Sequence, residues 1–214
     1  MKTTLIFVRH GQSESNLSNT FTGQSDVPLT ALGLRQAART AEYLRRAAID
    51  RIYASDLRRA MQTAEPTAED HGLPILPAAD LREIQAGAWE RMEFGEIAAR
   101  YPREFDTWLH DLGNASCPLG ESVADVYRRA AACVDRIVAE NRGKCVALFS
   151  HATPLRVLWC HWNGLSLKEV AKVPWSANAS VTTVEYRDSD APRIVQYGYD
   201  GHLTGLITEL PKTV

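Results

Sequence analysis

A chain of 214 residues carrying 24 basic and 26 acidic side chains has a formal net charge of −2, which argues against a protein that coats nucleic acid. Its 45% hydrophobic and 23% charged content is ordinary for a globular protein, so disorder is not indicated and a single domain over residues 1–214 is expected. A domain of this size buries about 70% of its unfolded surface. No stretch approaches the roughly 18 apolar residues of a membrane span, and the apolar run after Lys2 is too short for a signal peptide. Cys117, Cys133, Cys145 and Cys160 show no paired spacing and read as reduced residues of a cytoplasmic protein.

In chain order, residues 3–8 are β-branched, apolar and few, which reads as a buried strand. The chain then switches to Arg9-His10-Gly11-Gln12-Ser13-Glu14-Ser15-Asn16, a basic pair, a glycine and short polar side chains. Residues 30–48 have helical periodicity, with Thr30 as N-cap and Leu32, Ala37, Ala41, Leu44 and Ala48 on one face. A strand over 51–54 leads into a helix over 57–71, strained at Pro66, and a short strand at 74–77. The aromatic, charge-mixed stretch 91–112 reads as an insertion of short helical pieces covering the sheet and the site. A long amphipathic helix over 121–141 is closed by Gly143.

A second apolar run at 144–149 ends in Ser150 and His151, and a helix over 153–162 opens with Thr153 as N-cap and Pro154 in its first turn. Two late strands, 181–186 and 193–197, form a hairpin and make one edge antiparallel. This alternation predicts a three-layer α/β/α fold with a mostly parallel sheet and an antiparallel edge strand.

In such sheets, ligands bind outside the carboxyl ends of the strands. Two strand ends deliver His10 and His151 there, and a third junction delivers Asp56, Arg58 and Arg59. Imidazole is nucleophilic in its neutral form near neutral pH, and His10 is the expected nucleophile. Transfer of a phosphoryl group needs fixed cations and donors around its oxygens. Arg9 and Arg58 supply planar forks, His151 if protonated adds a third donor, and Arg59 is assigned to the solvated surface. Ser13, Asn16 and Gln24 are candidates to bind the phosphate or orient His10. An alkoxide leaving group needs a proton, for which Glu83, Asp80 and Glu90 all qualify by sequence. His71, His110 and His161 lack metal-ligand spacing, so no metal and no cofactor are expected.

The order of these motifs resembles the histidine phosphatase superfamily, the phosphoglycerate-mutase-like fold. The resemblance runs from Arg9 to His202 through Gly23-Gln24, residues 26–30, 56–64, 118–122 and 178–180. It implies a phosphohistidine on His10 and supports Asn16 and Gln24. Leu81-Arg82-Glu83 before Gly87 and Trp89 resembles the phosphatase branch and favours Glu83 as general acid. His202 matches a family position and is expected to pack rather than react. Two residues depart from the pattern: Arg91 and Ala152 stand where family members more often have glycine, and Arg91 puts the local turn in question.

The expected activity is metal-independent, acid-type hydrolysis of a small-molecule phosphomonoester. In the mutase branch the catalytic glutamate is followed by arginine, whereas Ile84 follows Glu83 here. Phosphoglycerate mutase-type transfer is the first alternative. A non-catalytic phospho-ligand binding module is the second, and retention of His10, His151 and Glu83 argues against it. Sugar phosphates, nucleotides and the ribazole phosphate of cobalamin synthesis all fit as substrates, and the motifs carry no sign of oligomeric state.

Overall fold

Alternation along two strands sorts the core into layers. A computed structural model describes residues 1–187 and 190–208. The chain runs β1 (Lys2–Arg9), α1 (Glu14–Ser18), α2 (Ala31–Leu44), β2 (Arg51–Ala54), α3 (Arg58–His71), β3 (Ile75–Pro77), α4 (Phe94–Arg100), α5 (Pro102–His110), α6 (Val123–Glu140), β4 (Cys145–Ser150), α7 (Ala152–Trp162), β5 (Val181–Arg187) and β6 (Arg193–Tyr199). Leu5 and Phe7 of β1, with Val146 and Leu148 of β4, pack against Val134 and Ile137 of α6 and Leu155 and Leu158 of α7. Ile6, Val8, Ala147 and Phe149 point the other way, onto Leu44 of α2 and Ala64 and Ala68 of α3. Period-2 alternation with both faces apolar is what a sheet covered on both sides requires.

The six-stranded sheet has the order β3-β2-β4-β1-β5-β6. β1 through β4 are mutually parallel where they pair, β5 is antiparallel to β1, and β6 is antiparallel to β5. The reversed strand therefore lies one place in from the edge. A further cluster, including Phe21, Trp89, Phe94, Phe105, Trp108 and Val170, builds the region around α4 and α5.

Two departures from the expected boundaries bear on packing and on the site. α2 stops at Leu44, leaving Ala48 exposed, and its buried face includes the polar Gln36 and Thr40. α7 begins at Ala152 with His151 as its N-cap, so Thr153 sits inside the first turn instead of capping it. Pro66 is accommodated within α3, and Gly143 takes a left-handed φ of 80° just beyond α6. Among the described residues no helix is long and apolar enough to cross a membrane.

The start of α2 touches the loop that carries His10. A Cβ on Gly11 would come within 2.7 Å of the Gly33 carbonyl oxygen, and one on Gly33 would overlap the backbone of Gln12. Neither neighbour is a flexible side-chain end. Gly33→Ala gains up to about 1 kcal/mol of helix propensity. The backbone overlap outweighs it, for an expected net loss of about 1–3 kcal/mol. Thermal unfolding should show a lowered Tm, and an unchanged or raised Tm would contradict this packing.

Candidate active site

Three parallel strands end level with one another. Arg9 pairs with Ser150 across β1 and β4, and Ala54 pairs with Phe149 across β2 and β4. The next residues, His10, His151 and Ser55, therefore emerge side by side. The backbone continues the pairing, His10 N–H to Ser150 O at 2.9 Å and Ser55 N–H to Phe149 O at 2.8 Å. The two imidazole centroids are 5.0 Å apart, and the residues are 5% and 0% exposed.

His10 Nδ1 lies 2.7 Å from the Gly11 carbonyl oxygen. A carbonyl only accepts, so Nδ1 carries the proton and Nε2 keeps its lone pair. Burial, then the charges of Arg59 and Arg9, hold the proton affinity of His10 well below the usual histidine range, against a smaller opposing effect of the Gly11 bond. His151 is lowered too, by burial first and Arg59 next. Its Nε2 is 2.8 Å from Ser55 Oγ. Ser55 Oγ–H has no other acceptor among the described residues, and we take it as the donor to Nε2. That leaves His151 Nδ1–H as a buried donor without a protein partner. His151 thus offers a hydrogen bond while neutral.

Arg9 and Arg59 are 6% and 2% exposed. Arg9 Nη1 donates to Ser176 O, while Arg59 donates to Ser25 O at 3.0 Å and Gly23 O at 2.7 Å. Carbonyl partners orient a guanidinium without neutralising it. Among the described residues neither arginine forms an ion pair, and Arg9 Nε has no partner at all. Burial pulls Arg9 down to about 10 and lowers Arg59, against an opposing effect of the Glu83 charge on each, and both stay charged at neutral pH. Two buried cations without a direct ion pair, beside two neutral imidazoles, form a site for a compact anion.

The assignment of the two adjacent arginines is corrected here. Arg58 is exposed and lies outside the pocket, its backbone N–H capped by Asp26 at 2.6 Å, while Arg59 lines the pocket. The helical register is the reason. Arg59 shares the inner face of α3 with Ala60, Thr63 and Thr67, whereas Arg58 points outward with Glu65 and Glu69.

Glu83 and Asn16 line the same pocket as Arg9 and His10. The Glu83 carboxylate accepts from Ile84 N–H at 2.8 Å and from Thr153 N–H, in the first turn of α7, at 3.3 Å. Asn16 Oδ1 accepts from Ser13 and from Asn178 Nδ2, which leaves its own amide N–H groups as donors. Ser13 and Gln24, expected substrate contacts, lie outside the pocket lining, as does His151, whose ring sits just behind it at 5.0 Å from that of His10. Ser13 is fully buried and orients Asn16, and Gln24 Nε2 donates to the Glu83 carbonyl at 3.1 Å. Of the other carboxylates, Glu90 is occupied by N–H groups of Gly23, Gln24, Ser25 and Ala86, and Asp80 pairs with Arg136.

Phe94 and Trp108 belong to the stretch 91–112 expected to cover the site, whereas Phe21 and Trp175 line the pocket without a sequence signal. Phe21 packs edge-on against Trp108 at 4.9 Å, and Phe94 and Trp108 bring α4 and α5 to the pocket. Trp175 is held by the Arg156 guanidinium 4.1 Å over its ring. Arg91 has a φ of 63°, the left-handed turn that suits glycine, and Ala152 fits a helical first turn. His202 lies apart, bonded to Thr40 and stacked 4.8 Å from Tyr43. Among the described residues no group of three or more His, Cys, Asp or Glu side chains is placed to hold a metal.

Residues 5–200 match the histidine phosphatase superfamily, branch 1. The chain belongs to that superfamily. It is 31% identical over 187 residues to phosphoserine phosphatase 1 of Hydrogenobacter thermophilus, covering 86% of this chain and 87% of the relative. It is 32% identical to a probable phosphoglycerate mutase GpmB of Proteus mirabilis, covering 86% of each. The native structure of a mycobacterial glucosyl-3-phosphoglycerate phosphatase superposes with a TM-score of 0.86 at 28% identity, covering 94% of this chain and all of that one.

The two arginines are separable by experiment. Inorganic phosphate binding, measured by calorimetry, should weaken roughly 30-fold or more in Arg59→Met, as expected for truncating a buried charged donor. Arg58→Met should stay within about 2-fold, as for an exposed charge. The reverse ranking would contradict the placement.

Proposed function

We propose that the chain hydrolyses small-molecule phosphomonoesters, as one catalytic domain over residues 1–214, through a phosphohistidine on His10. The observation that carries this is a neutral His10, its Nε2 unprotonated, next to two buried guanidiniums that are held by backbone carbonyls and make no direct ion pair, with Glu83 as the nearby carboxylate. A binding module needs the cations but has no use for that tautomer.

In the first step the phosphoryl oxygens take the free N–H groups of Arg9, Arg59 and Asn16 and the Nδ1–H of His151. Nε2 of His10 forms the P–N bond as the ester P–O bond breaks, and the leaving oxygen receives a proton from Glu83. In the second step water attacks phosphorus, Glu83 takes its proton, the P–N bond breaks and inorganic phosphate departs. Charge on the transferred group rests on fixed donors throughout, so the protein's own residues supply the stabilisation. The reaction so written is acid-type and independent of metal and cofactor. The four free cysteines favour a reducing, cytoplasmic setting.

Water is favoured over a second phosphoglycerate site as acceptor. Arg9 and Arg59 are the only arginine or lysine side chains lining the pocket among the described residues, and both serve the phosphoryl group. No further cation is left for a substrate carboxylate. The remaining wall carries Phe21, Phe94, Trp108 and Trp175, which suits an uncharged, partly apolar alcohol.

The test compares phosphate release from a panel of metabolite and aryl monoesters with 2-phosphoglycerate formation from 3-phosphoglycerate primed by 2,3-bisphosphoglycerate. Hydrolysis should dominate, favour esters of uncharged alcohols, and persist in chelator. Mutase turnover above every hydrolysis rate, or loss of activity on chelation, would overturn the proposal.

A further inference from the structure

Arg129 of α6 lies outside the pocket lining, yet every hydrogen of its guanidinium is engaged. Nε and Nη2 grip both oxygens of Glu121 at 2.8 and 2.9 Å. Nη1 donates to the carbonyls of Asp80 at 2.8 Å and Arg82 at 2.7 Å, and Nη2 donates to the carbonyl of Glu83 at 2.9 Å. These bonds account for all five donors that a guanidinium has. Glu121 completes the grip by accepting the N–H of Gln85 at 2.8 Å. The turn over residues 80–85 is thus clamped on both sides, by a cation on its carbonyls and a carboxylate on its amide. Glu83 and Ile84 are the residues of that turn that line the pocket.

An ion pair with side chains 17% and 19% exposed is weak evidence for stability, because desolvation offsets its Coulombic gain. Its geometry is more informative than its charge. Asp80, Arg82 and Glu83 turn three carbonyls toward one planar fork, which fixes where the Cα of Glu83 stands. Lysine has three donors at one point and cannot span this set. A displacement of about 1 Å at a reacting group costs on the order of 100-fold in rate.

We propose that Arg129, backed by Glu121, is a positioning residue that sets the reach of the Glu83 proton donor. This rests on the hydrolase reading above. Arg129 touches neither the ester nor the phosphoryl group, and its loss should be felt only where a leaving group needs a proton.

The experiment measures kcat/KM for alkyl phosphates and for p-nitrophenyl phosphate, whose leaving group departs unprotonated, in wild type, Arg129→Lys, Glu83→Gln and the double variant. Arg129→Lys should lose about 10- to 100-fold on alkyl phosphates and less than about 3-fold on the nitrophenyl ester. The double variant should be no slower on alkyl phosphates than Glu83→Gln alone, and competitive inhibition by inorganic phosphate should be unchanged. Equal losses on both ester types, additive losses in the double variant, or weakened phosphate inhibition would overturn the assignment. Should Arg129→Lys fail to fold, Glu121→Gln serves in its place. A smaller loss confined to alkyl phosphates supports the proposal, and a uniform loss or none overturns it. A wild type that hydrolyses no ester overturns the hydrolase reading and this inference with it, whereas a uniform loss in an active enzyme overturns this inference alone.

Discussion

The pairing of Arg9 with Ser150 determines where the chemistry of this protein sits. β1 and β4 run parallel and in step over six residue pairs, and each strand is followed at once by a histidine. A slip of one residue would invert the side-chain pattern of one strand against the other. Phe7 or Leu148 would then leave the layer built by α6 and α7, and His10 and His151 would part. The apolar residues on both faces therefore fix the site as well as the core. Ser55 arrives by the same route, one strand further out, and hydrogen-bonds the His151 ring.

Around that register the buried cations are anchored by carbonyls, with Glu83 as their principal counter-charge. Backbone carbonyls of the 23–25 loop and of Ser176 hold the guanidiniums, and Glu90 in turn holds that loop by its N–H groups. An arginine anchored by carbonyls keeps its charge available to a ligand, whereas one anchored by a carboxylate does not. The same positive field, acting after burial, keeps both imidazoles unprotonated. One arrangement thus suits a dianion and keeps His10, the proposed nucleophile, in its unprotonated form. The cost is a set of buried cations and unpaired donors, a local instability of the kind that functional sites carry.

Much of this is legible in the sequence, for definite reasons. Short β-branched runs that end in histidine identify β1 and β4, and the alternation of strands and helices gives the three layers. Thr30 caps α2 through its hydroxyl, as its position before a helical pattern implies. Which of two adjacent arginines faces inward is a finer question. The small residues Ala60, Thr63, Ala64 and Thr67 mark the buried face of α3, and continuing that face back one turn reaches Arg59. The start of α7 was misplaced because Thr153-Pro154 is a good capping pair, while the sheet ends at Ser150 and the helix follows directly. Trp175 was invisible for another reason. It lies between α7 and β5 in a segment with no period-2 or period-3.6 pattern, and a tertiary contact with Arg156 fixes its ring.

A covalent bond to His10 is the central claim, and rapid acid-free quenching tests it most directly. Wild type mixed with a radiolabelled phosphomonoester and stopped in base within its first turnovers should retain label on His10, released by acid and stable to alkali. His10→Ala should be folded, unlabelled and inactive. Label found on another residue, or full turnover by His10→Ala, would contradict the account.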